Sequence, residues 1–511
     1  MSILPPVIRY RAGELCAADI RAFKHGAATL VVDEDARAPV EAAAAVIAAI
    51  AQRSESVYGV NTGFGKLAQS HIPPEQLRTL QRNLVVSHAC GVGPPLPPNV
   101  VRLAMTLKVN SLARGYSGVR WSLIEMLAAC LERDVLPVIP AQGSVGASGD
   151  LAPLAHLAAT LIGVGEATFR GERMPAEEVL ARADLQPLTL EAKEGLALLN
   201  GTQISTALAL DAVLGAEDLL AASLVAGGLS IEAALASVRP FDPRVHAVRG
   251  HRAQSDVARA MRRLIDGSAI NESHRNCGRV QDPYSVRCIP QVLGACLRTL
   301  RDALEILGDE ANAVSDNPLV FVETHEVISG GNFHAEPVAL VADALAVAIA
   351  EMGNISERRV ALLVDPTFSE LPAFLATNPG LESGYMIPQV TAAALASENK
   401  LLSHPASVDS IPTSAGQEDH VSMATHGAYR LRQMLANARA IVAIELLAAV
   451  RGVGFRRPLQ TSAPLEDTIA MIAPAHDAGD RFITPDIERV AAFIERGLFM
   501  RFTPDLFVSV R

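Results

Sequence analysis

Between Ala207 and Val238 the chain is apolar on nearly every side of a helical wheel, and its only charges are Asp211, Glu217, Asp218 and Glu232. A helix that is apolar all round has to be buried all round. Such a stretch therefore demands other helices packed about it, in a bundle or from other subunits. Its charges argue against a membrane span. The same reading extends along the chain. Helical patterns run over Val40 to Gln52, Gln76 to His88, Val100 to Arg114, Trp121 to Arg133, Leu151 to Ile162, Gln291 to Gly308, Ala335 to Val364, Val390 to Leu402, Met423 to Val450 and from Thr484 to about Arg496. Half of the 511 residues are hydrophobic but only 4% are aromatic. The core must then be built from Ala, Leu, Val and Ile, of which Ala and Leu are strong helix formers. The expected fold is mainly α: a long central helical bundle over residues 111–511, with a smaller mixed α/β N-terminal region over 1–110. Leu30-Val31-Val32 is the expected strand there, and 164–187 reads as polar and irregular, with hairpin-like punctuation at Gly171.

A formal net charge of −11 argues against a general nucleic-acid binder. The six cysteines, at 16, 90, 130, 277, 288 and 296, contain no Cys-x-x-Cys pair and are too sparse for a disulfide framework. Met1 to Gly26 lacks the basic start and apolar run of a signal peptide. These features lead us to expect a soluble cytoplasmic protein with reduced thiols and no membrane or nucleic-acid partner.

In a bundle of this kind, chemistry belongs to the polar loops between helices. The most unusual is Gly143-Ser-Val-Gly-Ala-Ser-Gly-Asp150. It is no phosphate-binding loop, since Asp150 stands where Lys and Ser/Thr are needed. It is no nucleophile elbow either, because the glycine after Ser148 comes one position early. Asp150 is placed to cap the helix that follows, and His88 in the last turn of its helix is placed where the dipole favours a cation. His334-Ala-Glu336 and Glu418-Asp-His420 are two isolated pairs of metal-ligating residues, and neither His-Glu-x-x-His nor paired Cys-x-x-Cys occurs. No metal is expected on that ligand count.

Taken jointly, Tyr58-Gly-Val-Asn-Thr-Gly-Phe-Gly65, the 143–150 loop, Leu199-Asn-Gly-Thr-Gln203, Gln281-Asp-Pro-Tyr-Ser-Val-Arg287, Asp316-Asn-Pro318, Gly330-Gly-Asn-Phe-His-Ala-Glu-Pro337 and Gln417-Glu-Asp-His-Val-Ser-Met423 resemble the aromatic amino acid ammonia-lyase family. The resemblance implies that Ala147-Ser148-Gly149 cyclises and loses water to form 4-methylidene-imidazole-5-one (MIO), with no external cofactor. It further implies elimination of ammonia from L-histidine to give trans-urocanate, the first step of histidine degradation. Tyr58 is then similar to the family's general base, and Arg287 to the residue that grips the substrate carboxylate. Asn200 and Tyr284 match supporting positions, with Gln281 nearby. Phe333 matches the residue packed on the loop. His88, Met386 and Glu418 match the positions at the imidazole end. A homotetramer with shared active sites is implied, to which the all-round apolar helices add the expectation of buried subunit contacts. Ile289, Glu382, Tyr385, Pro388 and Gly416 depart from the histidine pattern, whereas Asn61, Ser87-His88 and Glu418 follow it. The alternative is an MIO-dependent tyrosine or phenylalanine ammonia-lyase, or an aminomutase.

Overall fold

The computed structural model describes residues 7–24, 29–275, 280–473 and 479–507, and Cys277 lies outside them. The helices that carry the argument are labelled here in chain order: α1 Leu77–His88, α2 Pro98–Ala113, α3 Leu151–Leu161, α4 Gln203–Ala233, α5 Ile289–Ala311, α6 Glu336–Val364, α7 Met386–Leu402 and α8 Ala424–Gly454. Helix α4 is the axis. Of its 31 residues all but Asp211 are buried, and α2, α5, α6 and α8 pack along it. At 1.5 Å per residue it spans about 46 Å. The chain's own helices thus supply the burial that the apolar pattern demands. Subunit contacts are not needed to explain it.

The helix begins four residues earlier than apolar periodicity suggests. Gln203, Ser205 and Thr206 are polar, yet buried, because each has a hydrogen-bond partner: Ser315, Asp150 and Thr202 in turn. It ends at Ala233, where Leu235 soon takes a left-handed φ of 50°. Burial raises the pKa of its three buried carboxylates, and a partner opposes the push at each. Arg21 donates to Glu217 Oε2 at 2.5 Å, Lys24 Nζ lies 3.6 Å from Asp218 Oδ2, and Ser268 donates to Glu232. An unpartnered charge at such depth would cost several kcal/mol, about 3–5.

Strand content is small. β1 (Val7–Tyr10) runs parallel to β2 (Thr29–Val32). β3 (Val92–Pro95) pairs antiparallel with β5 (Pro140–Gln142). β4 (Val135–Pro137) pairs with β6 (Glu166–Phe169), which pairs in turn with β7 (Glu172–Pro175). β8 (Leu319–Phe321) pairs with β9 (Glu326–Ile328). The polar 164–187 stretch does turn as a hairpin at Gly171, and a short helix Ala176–Arg182 follows it. Its alternation is too short to stand out from loop composition. One principal core runs from Tyr10 to Leu506. Helices α6 and α8 are each long and apolar enough to cross a bilayer by length and composition, although the sequence reading found no such span. Both pack in the core and are mostly buried. The five described cysteines are free thiols.

Candidate active site

The 143–150 loop lies where α3, α4 and α8 begin. Asp150 does not cap α3. Its carboxylate instead reaches across: Oδ2 accepts from the Ser205 amide at 2.8 Å and hydroxyl at 2.9 Å, while Oδ1 accepts from Ser144 at 3.2 Å and from Thr425. A fully buried carboxylate needs several donors more than a solvent-facing helix start needs one. Burial pushes its pKa up, and those hydrogen bonds oppose the push. Val145 O accepts from the Met423 amide at 2.9 Å, and Gly146 O accepts from Ser422 at 3.1 Å. The loop is held from both sides by α4 and α8.

Gly149 is the tightest point. Its φ is +76°, and a Cβ there would stand 2.2 Å from Gly201 O, a backbone atom that cannot swing away. Gly149→Ala should therefore lose more than the roughly 1–2 kcal/mol that a left-handed alanine costs by itself. Urea-unfolding midpoints of the two proteins measure the loss, and an unchanged midpoint would show that the loop yields.

Ser148 Oγ donates to Glu418 Oε1 at 2.9 Å, and Thr413 donates to Glu418 Oε2 at 2.6 Å. Around them opens a cleft of about 1160 Å³ lined by Tyr58, His88, Ala147, Asn200 and Phe333. The structure thus gathers seven of the sequence-proposed residues in one chain: Tyr58, His88, Ala147, Ser148, Asn200, Phe333 and Glu418. Gly149 lies beside them in the loop. Asn200 donates from Nδ2 to Asn317 O at 3.2 Å, while its Oδ1 is buried without a hydrogen-bond partner among the described residues. Asn61 does not face substrate space. It braces the 58–65 loop, accepting from the Val57 amide at 2.7 Å and donating to Glu55 O at 2.8 Å.

Electrostatics refine two assignments. Burial, more than any other cause, lowers the His88 pKa, against the raising effects of the Leu84 carbonyl and Glu418. The helix terminus does not keep this imidazole cationic; it is neutral near pH 7. Burial and the Glu418 charge raise the Tyr58 pKa, and only the Gly65 amide hydrogen bond opposes them. Among the described residues the Gly65 amide alone favours loss of the Tyr58 proton, and burial outweighs it.

Sequence reasoning passed over Lys108. It is fully buried on α2 and donates to Asn200 O at 2.6 Å and Ala197 O at 3.1 Å. Burial pushes it down to about 7, against the pull of Asp316 and Asp150. Lys193 and Asp316, paired at 2.7 Å, lie alongside. A lone lysine inside an apolar helix was the available signal.

Gln281, Tyr284, Arg287 and Met386 do not line this cleft. Arg359 lies 3.4 Å from Ser285 O and 3.5 Å from Ser223 O, and Ser223 is twenty residues along α4 from its loop end, about 30 Å. Tyr385 donates to Leu447 O, 23 residues along α8 from its loop end, about 35 Å. Both groups stand at the far end of the bundle. Tyr284 is 70% exposed there and Met386 37%. Arg287 stacks 4.6 Å from the Tyr284 ring, and its Nε has no hydrogen-bond partner among the described residues. Four of the departing residues have local structural work. Ile289 packs at Gly227, Glu382 accepts from the Thr377 and Asn378 amides, Tyr385 bonds α8, and Pro388 is buried.

Residues 15–474 match the aromatic amino acid lyase family, and the chain belongs to it. Within that family it is similar to histidine ammonia-lyase of Burkholderia ambifaria, 55% identical over 506 residues, 98% of this chain and all of the relative. The crystal structure of histidine ammonia-lyase from Trypanosoma cruzi superposes with a TM-score of 0.90 at 41% identity, covering 98% of this chain and 96% of that one. Tyrosine aminomutase from Streptomyces globisporus superposes with a TM-score of 0.92 at 34% identity, covering 99% and 100%. The fold alone does not separate lyase from mutase.

Proposed function

We propose that this protein is a carbon–nitrogen lyase that eliminates ammonia from L-histidine to give trans-urocanate. The observation that carries the reading is Ser148 bonded to Glu418 in a cleft shared with Tyr58 and His88. The full-length similarity to histidine ammonia-lyases supports it.

The residues present fit an MIO group made from Ala147-Ser148-Gly149. Gly149 offers an amide nitrogen with no side chain to obstruct ring closure, and the loop is already held tight by Asp150 and Gly201. Once formed, MIO supplies an electrophilic carbon that activates the substrate toward loss of ammonia. The remaining work belongs to side chains. Glu418 accepts a hydrogen bond from an imidazole N–H, and neutral His88 can accept or donate at the same end. A phenyl ring would leave both unpaired, at a cost of about 1–3 kcal/mol. Tyr58 takes the β-proton, which requires a cation to lower its pKa. Asn200 Oδ1, buried and unpaired, awaits a donor from the substrate side.

The cation and the carboxylate clamp come, in this reading, from another subunit. Arg287, with Gln281, Tyr284 and Met386, stands at the opposite end of the bundle among exposed apolar residues such as Leu381, Ile387 and Val390. A homotetramer in which one subunit's Arg287 end meets another's Tyr58 cleft would complete the site and bury those residues. Mixing Tyr58→Phe with Arg287→Met, each inactive alone, should restore part of the activity when subunits are allowed to exchange. No recovery under exchange would count against shared sites. A cytoplasmic setting belongs to the same reading.

The deciding experiment follows urocanate absorbance with L-histidine, beside L-tyrosine and L-phenylalanine. Cinnamate, coumarate or a β-amino acid in place of urocanate would favour the second reading, to which the aminomutase superposition lends support. Glu418→Gln should lower kcat/KM for L-histidine by about 5–150-fold, the equivalent of roughly 1–3 kcal/mol. An unchanged kcat/KM would remove Glu418 from substrate recognition.

A further inference from the structure

The two pairs that sequence left apart, His334 with Glu336 and Glu418 with His420, meet in the fold. His334 Nε2 and His420 Nδ1 lie 3.5 Å apart, and a ligand atom of Glu336 is within 4.8 Å of both. Two ligands held at about 2.1 Å in a tetrahedral zinc site are separated by about 3.4 Å, so the histidines already have the needed spacing. Glu336 Oε2 is buried and has no hydrogen-bond partner among the described residues. A carboxylate oxygen in that position is costly unless something positive meets it.

From this geometry we propose that His334, Glu336 and His420 form a binding site for a divalent transition metal of the zinc type. Two imidazoles and one carboxylate suit such an ion, and a fourth position is left for water. Without the ion, His334 Nε2 lies 3.3 Å from His420 O. Binding shifts that imidazole proton to Nδ1, so that Nε2 can ligate. The ion would join two loops whose histidines are 86 residues apart in sequence. His334 follows Phe333, and His420 comes two residues after Glu418, so both flanks of the joint are cleft walls. The site is a staple across the cleft mouth, and it stands whether or not the histidine reading does.

The test uses the full-length protein, stripped with chelator and titrated with Co²⁺ and Zn²⁺. We expect a visible Co²⁺ d–d band that saturates near one ion per chain and is displaced by Zn²⁺. His334→Ala and His420→Ala should each weaken Zn²⁺ binding at least tenfold. Glu336→Gln, nearly isosteric, tests the third ligand without opening a cavity. Bound Zn²⁺ should also slow proteolysis within 414–423 in the parent and not in the variants. Absence of the Co²⁺ band, or equal Zn²⁺ affinity in parent and both histidine variants, would overturn the proposal.

Discussion

Ser148→Ala is expected to abolish turnover of L-histidine, by about 10³-fold or more in kcat, while the protein remains folded. The hydroxyl removed is the one in the Ala147-Ser148-Gly149 tripeptide that can leave as water to create an electrophile. Its loss deletes one hydrogen bond to Glu418, which Thr413 still holds. Asp150, Ser205, Thr425 and Gly201 are untouched, so the clamp that shapes the loop persists. Two measurements separate the chemistry from the scaffold. Intact mass of the parent should fall two waters short of the encoded chain, and that of the variant should not. Far-ultraviolet circular dichroism and the urea midpoint should be close to the parent's. A parent with full encoded mass, or a variant with ordinary activity, would defeat the assignment.

The second large effect concerns stability. Arg359 and Glu445 are both fully buried. The guanidinium donates from Nε to Oε1 at 2.5 Å and from Nη2 to Oε2 at 2.9 Å. Ser230 and Ser356 complete the carboxylate's shell, at 2.7 Å and 2.5 Å. This pair joins α4, α6 and α8, the three longest helices of the core. Arg359→Met should cost about 3–5 kcal/mol, because it strands a carboxylate away from water. Arg359→Met with Glu445→Leu should cost much less, since no charge is then left alone. The comparison of apparent urea midpoints for parent, single and double variants tests this. Equal losses in single and double variants would show that packing, not the stranded charge, sets the cost. The same arginine reaches Ser285 O, so the single variant should also disturb the Tyr284–Arg287 end and lower activity.

The long helices were legible because burial on one or all faces leaves a periodic trace. Helix α5 covers the predicted Gln291 to Gly308 stretch, and α6 begins one residue from its predicted start. Polar positions were harder, since their partners are distant in sequence. Gln203 and Ser205 look like loop composition until Ser315 and Asp150, their partners, are seen beside them. Asp150 itself looked like a helix cap, because a local role is the only one a sequence can propose for it. His88 was assigned a cation from the dipole, whereas burial, invisible in sequence, lowers its pKa. In the cleft, the motifs located Tyr58, Ser148, Asn200, Phe333 and Glu418 together. They could not say that Arg287 and Met386 lie at the far end of the bundle. That follows from helix length and direction, which no motif encodes. The apolar axis, likewise, was evidence for a bundle and not for assembly.

The Asp150 hub also sets a schedule. Its donors come from residues 144, 205 and 425, so the loop cannot acquire its shape from local sequence. During synthesis the ribosome delivers Ala147-Ser148-Gly149 long before Thr425 and the start of α8, and contacts so distant in sequence form late. Any covalent maturation of the tripeptide therefore waits for nearly the whole chain. A nascent or truncated chain ending before Thr425 should carry an unreacted serine. A reactive group made from the tripeptide would thereby appear only after the cleft that confines it has been assembled.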